Sequence, residues 1–151
     1  MTHPLEFYSS HNQFYLVDKL SDIDTASNFW TQSAFDDRLA INAGVLGIGT
    51  QCYSSVKAEL SILDAENAAV DFEAYDHIVE AGIDISSGIL QVLNCPDSFI
   101  ELELTIKPGR YRVRVYSANL AIVLDEDGED YYKIELWPSD IMERKVLKQY
   151  E

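Results

Sequence analysis

Seven or eight short stretches in which apolar and polar residues alternate, roughly ten residues apart and separated by turn-forming residues, predict an all-β chain. No linker, low-complexity tract or internal repeat interrupts them, so they are read as one domain over residues 1–151, an antiparallel β-sandwich or a partly open barrel. At 151 residues, 47% hydrophobic and 25% charged, the chain is large enough to bury a core without disulfides or metals.

Asn12–Asp18 opens the series with the aromatic and β-branched run Phe14-Tyr15-Leu16-Val17. A polar connection then runs from Asp18 to Phe35, carrying Asp22, Asp24, Thr25, Ser27 and Asn28 ahead of Phe29-Trp30, and within it Thr31 is placed to cap a short helix near 31–38. Val56–Leu63 sets Val56, Ala58, Leu60 and Ile62 on one face and Lys57, Glu59 and Ser61 on the other. Ile78–Ile85 sets Val79, Ala81, Ile83 and Ile85 against Glu80, Gly82 and Asp84, and Ser86-Ser87-Gly88 turns the chain into Ile89–Leu93. Ile100–Ile106, Arg110–Ser117 and Tyr131–Trp137 complete the strands. Beyond them Pro138-Ser139-Asp140 starts a segment read as a C-terminal helix of about three turns, with Ile141, Val146 and Leu147 as its apolar face and Arg144, Lys145 and Lys148 toward its negative end.

Arg110, Arg112 and Arg114 recur at every second position after Pro108-Gly109. If that dipeptide is the tip of a hairpin, Leu104 faces Val113 and Leu102 faces Val115, while Thr105 meets Arg112 and Glu103 meets Arg114 on the opposite face. Glu135 of the next strand then flanks the same guanidinium groups. The stripe becomes a cross-strand ladder worth about 0.2–1 kcal/mol per pair, and Arg112→Ala costs little stability. The functional reading is an arginine comb that grips a phosphate or carboxylate.

The 26 acidic and 11 basic residues leave a net charge of −15. Such a surface repels phosphate backbones and excludes general nucleic-acid binding. It favours solubility, and it steers the chain toward a basic protein partner. Asp125, Glu126, Asp127, Glu129 and Asp130 form the densest acidic cluster and are the expected partner-binding residues; their spacing departs from the Asp-x-Asp-x-Asp-Gly loop of helix-loop-helix calcium sites.

No chemistry competes strongly with that expectation. Cys52 and Cys95 lack Cys-x-x-Cys spacing and are read as small thiols of the core or near-surface. On a straight strand Asp76 and Glu80 share one face and His77 points to the other, so the three do not converge on a metal. Gly47-Ile48-Gly49 lacks the third glycine of a dinucleotide loop and is read as a bulge or close strand approach. Neither Gly-x-Ser-x-Gly nor a Cys–His pairing marks a nucleophile. No apolar run reaches the roughly 20 residues of a membrane helix and no basic-then-apolar leader opens the chain, so a cytoplasmic location is expected. The expectation is a non-catalytic protein-binding module with no cofactor and no metal. The alternative is a small-ligand or metal-binding sandwich, enzymatic or not, with a pocket between the sheets lined by Tyr and Trp.

Phe29-Trp30, Arg38-Leu39-Ala40, Gly47-Ile48-Gly49-Thr50, the run from Pro108 to Tyr116, Gly128-Glu129-Asp130-Tyr131-Tyr132 and Leu136-Trp137-Pro138 together resemble a group of bacterial all-β proteins that have no assigned activity. That likeness covers most of the chain. The hairpin pattern is also similar to the competence nuclease-inhibitor family. This second resemblance implies an inhibitor or immunity-type partner of a basic toxin or nuclease, and it assigns no inhibitory residue.

Overall fold

The structure, a computed structural model, describes residues 2–21, 29–121, 123–124 and 127–151, with backbone alone at 123, 124 and 127. In chain order the described strands are β1 (Thr2–Tyr8), β2 (Gln13–Asp18), β3 (Leu39–Asn42), β4 (Val45–Gly49), β5 (Ser55–Ile62), β6 (His77–Ile85), β7 (Ile89–Leu93), β8 (Ile100–Thr105), β9 (Gly109–Ala118), β10 (Val123–Leu124), β11 (Asp127–Gly128), β12 (Tyr131–Pro138) and β13 (Lys145–Lys148). A six-stranded sheet runs β1-β5-β12-β9-β6-β13, a five-stranded sheet runs β3-β4-β2-β7-β8, and β10 and β11 make a two-residue ladder of their own. Both large sheets keep free edges, so the molecule is a sandwich and not a closed barrel. Every pairing is antiparallel except β5 with β12. Among the described residues no helix is long and apolar enough to cross a membrane.

Strict alternation builds the core. Val79, Ala81, Ile83 and Ile85 of β6, Tyr111, Val113 and Val115 of β9, and Tyr132, Ile134 and Leu136 of β12 point inward. They meet Phe14 and Leu16 of β2, Leu46 and Ile48 of β4, and Leu90 and Val92 of β7. Each such side chain removes apolar surface worth about 1.5–3 kcal/mol. The middle of the five-stranded sheet is buried on its outer face too, where Tyr15, Val17, Ala40 and Val45 pack under Phe29, Ala34 and Trp30. Burial on both faces explains why Phe14–Val17 is continuously apolar. A Cβ at Gly47 would lie 2.8 Å from carbons of both Phe29 and Trp30, so glycine is what lets those rings close on the sheet. The close approach at Gly47 is thus made by aromatic side chains, not by a strand.

Helix α1 (Gln32–Asp37) is capped by Thr31, whose hydroxyl accepts from Ala34 N at 3.2 Å. The expected helix near 31–38 is therefore present.

Two expectations are corrected. Pro108-Gly109 is not a hairpin tip: β8 pairs with β7, placing Leu104 opposite Leu90 and Leu102 opposite Val92, while β9 lies between β6 and β12 in the other sheet. The inward and outward faces of β8 follow from alternation alone, which is why the faces were legible and the partner was not. The chain crosses between sheets at Lys107-Pro108, and Tyr111 hydroxyl donates back to Lys107 O at 2.5 Å, as in a tyrosine corner. It crosses also at Ser86-Ser87-Gly88, where Gly88 has φ +75° and a Cβ would meet Ile106 O at 2.9 Å. Ile106 N donates to Gly88 O at 2.8 Å, tying the two crossings together.

The C-terminal helix does not form. Residues 139–150 run as irregular chain and the edge strand β13, pairing Lys145 with Glu80 and Val146 with Val79. Ile141, Val146 and Leu147 are separated by five and one residues, which makes no helical stripe. The backbone groups a helix would pair internally are taken from outside: Met142 O accepts from Gly82 N at 3.0 Å, and Tyr150 N donates to His77 Nδ1 at 3.0 Å.

That last bond fixes the His77 tautomer. With Nδ1 accepting, Nε2 carries the proton and donates to Asp37 O at 2.8 Å, and burial lowers the pKa below its ordinary 6.5. A group with a lowered folded-state value binds more protons unfolded, so its contribution is present above pH 6.5 and is lost as pH falls below it. Denaturant titrations should show stability declining from pH 7 toward 5, with part of the decline abolished in His77→Gln; identical profiles in both proteins would refute the assignment.

Candidate functional site

The arginine stripe lies on the outer face of the six-stranded sheet, with Arg110 exposed but Arg112 and Arg114 buried. Arg112 and Arg114 are 3% and 2% exposed. Glu80 of β6 bridges them, its Oε1 accepting from Arg112 Nε at 3.0 Å and its Oε2 from Arg114 Nε at 2.8 Å. Arg114 also reaches Glu66 at 3.0 Å, and its guanidinium lies 4.9 Å from the Trp137 ring centroid. Glu135 is opposite Arg114 in register, as expected, but Tyr116 hydroxyl stands between them, accepting from Arg114 Nη1 and donating to Glu135 Oε1. Burial works against the Arg114 charge, but hydrogen bonds to Tyr116 and Glu80 outweigh it and hold the pKa above the ordinary guanidinium value. Burial and the Glu135 bond push the Tyr116 hydroxyl up, so it remains a donor.

The remaining donors close on backbone. Arg112 Nη1 donates to Ile141 O and Glu143 O, and Arg114 Nη1 to Asn67 O. Two irregular segments, 63–76 and 139–144, are thereby drawn over the sheet. Arg112 and Arg114 are structural, as the ladder reading holds, but their pairs are interior and their carboxylates come from Glu80 and Glu66 instead of Glu103. Glu103 bonds Gln91 and Lys19 in the other sheet.

The other candidates resolve as follows. Both His77 nitrogens are engaged by backbone groups. Cys52 and Cys95 are buried and form no disulfide. Among the described residues no three His, Cys, Asp or Glu side chains group as metal ligands. Of the acidic cluster, Asp125 and Glu126 lie outside the described residues, Asp127 is described by backbone in β11, and Glu129 is exposed. Asp130 is buried; its Oδ2 accepts from Cys52 N at 3.1 Å and from Tyr132 hydroxyl at 2.6 Å, and that hydroxyl accepts from Gln51 N at 2.7 Å. Burial and the neighbouring Asp130 carboxylate push the Tyr132 hydroxyl far up, so it stays protonated. Asp130 thus pins the end of the acidic segment to the loop before β5.

A cleft of about 490 Å³ opens beside that loop. Its walls include His11, Asn12, Trp30, Phe35, Arg38 and Gln51. Among the five described non-glycine residues with positive φ, three stand here, His11 at 64°, Asn12 at 57° and Arg38 at 62°. Each costs about 1–2 kcal/mol for an L-residue, less for Asn. Arg38 closes α1, and its N–H bonds Phe35 O. Sequence reading missed this cleft. The one available signal was an aromatic trio, Phe29, Trp30 and Phe35, inside a polar connection.

No family model matches the chain, and no curated protein matches it in sequence. Solved structures do share the fold, and one belongs to a class already on the page, the inhibitors of nucleases. It is the crystal structure of ComJ from Bacillus subtilis, inhibitor of the DNA degrading activity of NucA, with TM-score 0.70, 17% identity, 91% of this chain and 96% of that one. A second is the product of crocagin biosynthetic gene J, with TM-score 0.58, 19% identity, 92% of this chain and 99% of that one. This chain has that fold from near one end to near the other.

Removing the charge of Glu80 leaves buried Arg112 with no carboxylate and Arg114 with Glu66 alone, a cost of about 3–5 kcal/mol, well above the surface-ladder value. Glu80→Gln should lower the unfolding free energy by that amount, seen as a lower denaturant midpoint at unchanged m-value; a loss under about 1 kcal/mol, the range of exposed pairs, would contradict the buried cluster.

Proposed function

We propose that this protein is a non-catalytic binding module that inhibits or neutralises a basic protein, a nuclease or toxin, through its acidic surface. The observation that carries the reading is the fold held in common with ComJ over nine-tenths of the chain. Charge supports it. Two cations, Arg112 and Arg114, and four carboxylates, Asp18, Glu80, Asp130 and Glu135, are buried. Among the described side chains that leaves nine basic and 17 acidic residues that are not buried. An acidic excess so placed acts on a partner at a distance.

Within that surface we assign contact to the segment 125–130, with Glu129 exposed and Asp130 holding the segment in place. Steering of this kind appears in the association rate and fades with salt. With the partner purified from the source cells, the variant Asp125→Asn, Glu126→Gln, Asp127→Asn, Glu129→Gln should associate about tenfold or more slowly at low salt, with its melting temperature unchanged. Association indifferent to both salt and these substitutions would overturn the assignment.

A further inference from the structure

The cleft beside α1 has a chemistry that opposes that of the rest of the molecule. In a chain with 26 acidic residues, none of the described residues lining it is acidic. Its charged group is Arg38. Unlike Arg112, Arg114 and Arg144, Arg38 forms no ion pair among the described residues. Its guanidinium is nevertheless held, with Nη2 donating to Gln51 Oε1 at 2.6 Å and its face 5.3 Å from the Tyr150 ring centroid. One edge of a planar fork is thereby fixed, and donors remain for an oxyanion.

The opposite requirement is met by the aromatic wall. Trp30 and Phe35 stack at 5.1 Å with an interplanar angle of 29°, and Phe35 remains 61% exposed. Trp30 Nε1 is, among the described residues, the buried side-chain polar atom with no hydrogen-bond partner. Backbone conformations that ordinary residues avoid, at His11, Asn12 and Arg38, are concentrated around this one concavity, the pattern of a site whose geometry is imposed by its surroundings. About 490 Å³ falls within the range of small-molecule sites.

We propose that this cleft binds a small carboxylate carrying a planar apolar group, the carboxylate on the free donors of Arg38 and the planar group against Phe35. A cation is excluded by Arg38. The net negative charge of the chain does not prevent the anion from binding, because charges farther than about 8 Å are screened at physiological salt while the Arg38 contact is direct. The loop that carries Gln51 joins this site to the end of the acidic segment at Asp130, but the proposal does not depend on the protein-binding reading.

The chain has two tryptophans, so the indole N–H resonances of Trp30 and Trp137 give a site reporter and an internal control in ¹⁵N-labelled protein. Titration with benzoate should move Trp30 saturably and leave Trp137 in place, and acetate and benzyl alcohol should each bind at least about tenfold more weakly. Arg38→Lys, which keeps charge but not the fork, and Phe35→Ala, at an exposed side chain, should each weaken benzoate. No saturable Trp30 shift, equal binding of benzyl alcohol, or benzoate affinity unchanged in Phe35→Ala would overturn the proposal. Should Arg38→Lys fail to fold, the alcohol comparison and Phe35→Ala decide the matter.

Discussion

One carboxylate, Glu80, holds two buried guanidinium groups, and the outer half of the six-stranded sheet is organised around it. Its pairing with Arg112 and Arg114 locks β6 beside β9 in a single register, because a slip of one residue would turn Glu80 into the apolar core. The same guanidinium groups collect carbonyls from Asn67, Ile141 and Glu143. A pair of leucines in their place would bury as much surface but offer no donors, and the two irregular segments would lose what fastens them. Within the cluster Arg112, Arg114, Lys133, Glu66, Glu80 and Glu135, the four buried ions, Arg112, Arg114, Glu80 and Glu135, sum to no net charge, which is how they are accommodated under cover.

Much of the architecture is legible in the residues. Period-two alternation identifies seven strands and their inward faces, and Thr31 marks the start of α1. What alternation does not encode is the neighbour: the faces of β8 are the same whether it pairs with β7 or β9, so the attractive match of Glu103 with Arg114 was accidental. Burial of the arginines was equally hidden, since their carbonyl partners lie in segments with no regular pattern, some 30 to 47 residues away. The C-terminal basic residues looked like a helix end, yet Arg144 bonds Asp37 and Leu39 O across the molecule. Strands β1, β3 and β4 escaped notice because Pro4 interrupts the first and two glycines the last. The resemblance to a nuclease-inhibitor family agrees with the fold, although the hairpin on which it was read does not exist.

The distribution of charge joins structure to function. Two cations and four carboxylates are buried among the described residues, and 17 acidic side chains against nine basic ones are left outside the core. The cleft at Arg38 is the local exception, walled by amides and aromatics where acidic side chains are otherwise plentiful.

The placement of β12 has a consequence for how the molecule is made. It inserts between β5 and β9, parallel to a strand that begins 76 residues before it, so β1 and β5 have no contact with the rest of their sheet until residues 131–138 have been synthesised. Closure of the six-stranded sheet therefore rests on distant pairings and is slow for that reason. Until it closes, the facing edges of β5 and β9 are open to pairing with another chain.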